Sequence, residues 1–182
     1  SQWSTSGEWT VSSDAFISQS NAFHVGNGQL STYSNSQTST LTSPSFNLAD
    51  DVNGHNSAIG YSFFYTGGAG AGDQMKGYIK DDTGVWDETF TMSSVVDNNF
   101  QDGISWQTFS APYNGKNSPL IPVDNTHFHS TTQLRFVFTS DAVTSDIGYW
   151  IDDLGIIYDQ AAKKNEYQVN LAGVNALGGL PG

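Results

Sequence analysis

Leu134, Phe136 and Phe138 alternate with Arg135, Val137 and Thr139. That is the period of a strand with one buried face. A second aromatic and β-branched run follows from Tyr149 to Tyr158, broken by the adjacent carboxylates Asp152 and Asp153. Regular alternation sends those two side chains to opposite faces, so one of them is expected to face the interior. A carboxylate there costs several kcal/mol unless a partner answers it.

The same short-strand pattern recurs upstream. Candidates are Glu8 to Val11, Ala22 to Val25, Ser39 to Leu41, Phe46 to Leu48, Ala58 to Tyr65, Gln74 to Lys80, Val85 to Met92 and Trp106 to Ser110. No segment holds apolar residues at helical spacing between two caps. Many short strands separated by Gly, Asn, Asp and Ser predict an all-β fold, a two-sheet antiparallel sandwich of the jelly-roll kind. Asp81-Asp82-Thr83-Gly84 reads as a tight hairpin, with Gly84 in the left-handed conformation. The run Gly67 to Gly72 reads as a solvent loop, and Pro119 and Pro122 mark an edge or an extended connection.

The chain divides at about residue 158. Residues 1–158 form the sandwich, and 159–182 form a linker with a strand-like tail. In that tail Tyr167, Val169 and Leu171 alternate with polar or small residues, and Val174 and Leu177 follow. An alternating apolar tail suits pairing with a sheet edge, in the same subunit or a neighbour.

Composition narrows the partners. Six Lys and Arg stand against 18 Asp and Glu, for a net charge of -12. That argues against nucleic acid, because phosphate binding needs clustered cations, and against anionic membranes. It permits a bound cation. With no cysteine there is neither a disulfide scaffold nor a thiolate zinc site. No run approaches membrane-spanning length, and no basic-then-apolar signal segment is present.

Candidate chemistry is sparse. Asp152 and Asp153 are the first candidates for a metal, as hard oxygen ligands for calcium, with Glu8 or Asp14 contributing. The alternative is a salt-bridging pair with Arg135. His127 and His129 would share one face of a strand, a workable but incomplete ligand pair. His24 reads as structural, and His55 as a loop residue. Motifs for nucleophilic, zinc-hydrolytic and nucleotide chemistry are absent, so no enzyme is expected. Trp86, Trp106, Tyr113 and Tyr33 could stack on sugar rings, whose apolar faces pack on flat aromatics, or could fill the core. Trp3 and Trp9 read as packing residues.

Several phrases in order carry a resemblance: FHVGNG (Phe23 to Gly28), LTSPSFNLAD (Leu41 to Asp50), GDQMKGYIKDDTGVW (Gly72 to Trp86), WQTFSAPY (Trp106 to Tyr113) and the closing LRFVFTSDA…IGYWIDDLGI (Leu134 to Ile156). Together they resemble the MAM-like jelly rolls, including the accessory domain of immune-inhibitor-A-type peptidases. The resemblance implies a secreted or cell-surface, non-catalytic module. It also implies a structural cation held by aspartates of the closing strand and an acidic residue on a first strand. Ser1-Gln2-Trp3 corresponds to the position just after that strand, which leaves a slot the tail could fill in cis or in trans. The resulting expectation is an extracellular module for cell-surface adhesion or self-assembly. Its partner is a protein or a further copy of the chain, joined through Tyr167, Val169, Leu171, Val174 and Leu177. The alternatives are a carbohydrate-binding module with a glycan partner, or an accessory domain of a secreted peptidase.

Overall fold

A computed structural model describes residues 3–16, 21–27, 32–49, 58–93, 101–105, 107–108 and 114–158. The tail residues Tyr167, Val169, Leu171, Val174 and Leu177 lie outside these, as do His55, Trp106 and Tyr113.

The described residues form strands β1 (Ser4–Ser6), β2 (Trp9–Ser12), β3 (Ala15–Phe16), β4 (Ala22–Val25), β5 (Thr38–Thr42), β6 (Ala58–Gly68), β7 (Gln74–Lys80), β8 (Trp86–Ser93), β9 (Gln101–Ser105), β10 (Gln107–Thr108), β11 (Asn114–Asn117), β12 (Ile121–Pro122), β13 (Leu134–Thr139) and β14 (Gly148–Tyr158). They make two antiparallel sheets, a jelly-roll sandwich. One sheet runs β1-β5-β13-β7-β8; the other runs β2-β4-β14-β6-β11-β9, with β12 also on β6. A short ribbon of β10 and β3 is separate.

Period-2 alternation builds the core. Leu134, Phe136 and Phe138 of β13 face inward with Met75 and Ile79 of β7 and Leu41 of β5. Across from them stand Tyr61, Phe63 and Tyr65 of β6, Tyr149 and Ile151 of β14, and Trp9 and Val25. Rings interlock across the layer: Phe63 meets Phe136 edge-on at 5.2 Å, and Tyr33 meets Phe138 edge-on at 4.7 Å. Edge-on contacts suit the ring quadrupoles and add to the burial itself. A smaller cluster of Ala15, Ala22 and Trp150 lies on the opposite side of β4 and β14.

Several expectations need correction. Phe46 to Leu48 is not a strand; Phe46 makes a single bridge to Thr132. The Gly67 to Gly72 run is not wholly a loop, since Gly67 and Gly68 end β6 and Ala69 is buried. Glycine is required at 67 because φ is +100° and a Cβ would sit 2.0 Å from the Gly148 carbonyl oxygen. His127 and His129 do not share a strand: His127 lies in the 3-10 turn Asn125–His127, and His129 follows it. The Asp81 hairpin forms as expected. Gly84 has φ +92°, and the Asp81 carboxylate accepts from Thr83 N (3.0 Å) and Val85 N (2.7 Å). Those donors hold its pKa below the usual carboxylate range against the opposing pull of desolvation.

Candidate functional site: an open sheet face

The two sheets differ on their outward sides. The outward side of β4 and β14 carries the Trp150 cluster. His24 stacks on Trp150 there at 3.9 Å and 8°, and its Nε2–H donates to the Ile147 carbonyl at 2.8 Å. The outward side of the five-stranded sheet has no buried side chain. Register fixes which residues share it. One row across all five strands is Ser4, Thr42, Arg135, Tyr78 and Glu88; the next is Ser6, Thr40, Val137, Lys76 and Thr91. A third is Thr38, Thr139, Gln74 and Ser93, and Lys80 faces Trp86 at the other end.

The result is a platform of hydroxyl, amide and charged groups around two aromatic rings, Tyr78 and Trp86. The guanidinium carbon of Arg135 lies 3.8 Å from the Trp86 ring centroid, and Lys80 Nζ lies 5.9 Å from it. Arg135 Nε donates to Thr42 Oγ1 at 3.3 Å. Lys80 Nζ donates to Gln133 Oε1 at 3.4 Å. Partial burial pushes the Arg135 pKa down, from so high a start that it stays a cation. Lys76 pairs with Glu88 at 2.8 Å, and Glu88 also accepts from Thr91 at 2.6 Å. Lys76 first, then Thr91, holds the Glu88 carboxyl below its usual range.

Of the ring-stacking candidates, Trp86 is on this face and half-buried. Tyr33 is buried in the core, where its O–H donates to the carboxylate of Asp73. Trp9 packs as expected, at 2% exposure. Tyr78, Lys76 and Lys80 were not singled out. The signal was available in the outward positions Gln74, Lys76, Tyr78 and Lys80, each of which is polar or aromatic.

Asp152 and Asp153 are elsewhere. Pairing of β14 with β6 slips between Asp152 and Gly155, and Asp153 takes a left-handed φ of 45°. Ile151 and Leu154 therefore both turn to the core, and the two carboxylates between them avoid it: Asp152 is half-buried and Asp153 exposed. A bulge inserts one extra residue and so changes the facing parity. Both aspartates border a cavity of about 300 Å³ lined also by Trp3, Asn21, Phe23 and Leu154, with Trp3 and Phe23 rings 5.2 Å apart. Arg135 is not their partner, because it stacks on Trp86 in the other sheet. Glu8 bonds Ser34 N (3.0 Å) and Gln37 (2.7 Å), and Asp14 accepts from Ser12 (2.8 Å). Among the described residues no three His, Asp or Glu side chains come together as a metal centre. His127 sits between Asp87 (3.0 Å) and Asp124 (2.9 Å), while His129 bonds the Lys80 carbonyl (2.8 Å).

No family model matches the chain, and no curated protein matches it. Solved structures similar in fold include three carbohydrate-binding modules. One is a family-61 module in complex with β-1,4-galactotriose (12% identity, 86% of this chain and 88% of that chain, TM-score 0.46). Another is the family-30 module of a Clostridium thermocellum cellulosomal cellulase (14%, 87% and 87%, 0.45). The third is a family-28 module specific for non-crystalline cellulose (14%, 85% and 86%, 0.42). Likeness at this level carries no assignment of ligand.

Proposed function

We propose that the chain is a glycan-binding β-sandwich module that uses the open face of its five-stranded sheet. One observation carries this: Trp86 and Tyr78 stand on an unburied sheet face among Thr, Ser, Gln and charged side chains. Sugars need both halves of that arrangement. Their axial C–H faces pack on flat aromatic rings, and their hydroxyls exchange hydrogen bonds with amide, hydroxyl and charged groups. A row spanning five strands, each about 4.8 Å from the next, is roughly 19 Å long, which suits an extended oligosaccharide.

The test is affinity electrophoresis of the intact chain through gels holding soluble polysaccharides, with tryptophan fluorescence as a second readout. Retardation by at least one polysaccharide, lost in Trp86→Ala with the melting curve retained, is the expected result. Full retardation of Trp86→Ala would move binding off this face.

A further inference from the structure

We propose that the glycan is acidic, a polysaccharide whose sugars carry carboxylate or sulfate groups, and that Arg135 and Lys80 receive those anions. This rests on the reading of the sheet face as a glycan platform. The chain has six cations against 18 acids, yet Lys76, Lys80 and Arg135 all stand on this one face. Lys76 is neutralised by Glu88. Lys80 and Arg135 form no ion pair among the described residues, although acids outnumber cations three to one. They contact one indole ring and the neutral groups of Gln133 and Thr42. Two cations sharing a ring, each without a carboxylate among the described residues, leave an anion-sized charge deficit beside the surface where a sugar would stack.

The chemistry of the two groups fits. A guanidinium offers a planar fork to a carboxylate or sulfate; among the described residues only its Nε is committed, to Thr42, which leaves the terminal nitrogens to form that fork. The lysine adds a flexible point charge. The overall charge of -12 sets a limit on the ligand. Beyond a Debye length of about 8 Å at physiological ionic strength the acidic surface is screened, so the local cations decide the contact. A densely charged polyanion would also meet the surrounding acids. A glycan with spaced anions would not.

The experiment is calorimetric titration of the intact chain with matched pairs: oligogalacturonate against its methyl ester, and a sulfated galactan oligosaccharide against its desulfated form. At physiological salt one acidic member should bind at least about ten-fold tighter than its neutral partner, the scale of one charge-assisted hydrogen bond. The gap should shrink in high salt. Lys80→Gln and Arg135→Gln should each remove most of the gap, and Arg135→Lys should restore part of it, with melting curves confirming that each variant is folded. Whichever pair shows the gap identifies the anion. Equal binding of acidic and neutral partners would overturn the acidic preference and leave the platform standing. A gap untouched by Lys80→Gln would overturn the assignment of the anion site. Failure of every sugar to bind would sink the platform reading itself.

Discussion

Arg135 lays its guanidinium over the ring of Trp86, 3.8 Å from carbon to centroid, across two strands that are not adjacent in the sheet. β7 lies between them, so the arginine side chain spans the outward face of that strand. A partly buried stack of this kind contributes about 0.5–2 kcal/mol. In urea denaturation, Arg135→Gln and Trp86→Ala should each destabilise. Their double mutant should fall short of the sum by about 0.5–1 kcal/mol. Strict additivity would mean the two side chains do not touch in solution.

Tyr33 and Asp73 make a second pairing, this one inside. Asp73 is fully buried; it accepts from the Tyr33 hydroxyl and from Asp141 N (2.6 Å), and the hydroxyl accepts from Gly70 N (2.6 Å). Burial first, then the Asp73 carboxylate, pushes the Tyr33 phenol well above its ordinary pKa. Tyr33→Phe keeps the ring and deletes the donor. It should cost about 1.5–3 kcal/mol, the range for a hydrogen bond to a charged group. In a chain of this length that lowers the melting point by about 3–12 °C. A shift under one degree would show that water replaces the donor.

The bulge at Asp153 gives a test with opposite signs. A left-handed φ of 45° disfavours β-branched residues, whereas a regular strand favours them. Asp153→Val should therefore destabilise by about 1–2 kcal/mol, and Asp153→Gly should be neutral within about 0.5 kcal/mol. Stabilisation by valine would mean β14 runs straight through this position.

His24 predicts a pH dependence. Burial lowers its pKa from 6.5; the Ile147 carbonyl, then Asp14 and Glu8, pull the other way without reversing it. The unfolded chain therefore takes up the imidazole proton first as pH falls. The native advantage is complete above the unfolded value of 6.5 and is lost progressively as pH drops through it toward the lower folded value. Unfolding free energy should decline between about pH 7 and pH 5. His24 carbon shifts in NMR should report a neutral ring below the pH at which exposed histidines are half-charged. A ring that titrates with the exposed histidines would refute the burial.

Local periodicity was enough for the sheets. The alternation in Leu134–Thr139 named which side chains go inward, because side-chain facing is a local property of an extended backbone. It failed at Asp152 and Asp153, where a bulge changed parity, and at His127, where the chain turned instead of extending. Both depend on which strand lies alongside, and that is not encoded within the segment. The platform belongs to the same class. Ser4, Thr42, Arg135, Tyr78 and Glu88 are scattered through the sequence, and only cross-strand register sets them in one row. The sequence by itself determined a two-layer β-fold and its aromatic core, since burying alternate apolar residues leaves few other solutions. Tertiary structure alone decided that half the chain's cations share one sheet face and that two of them meet over one tryptophan, because strand order is a property of the whole sheet.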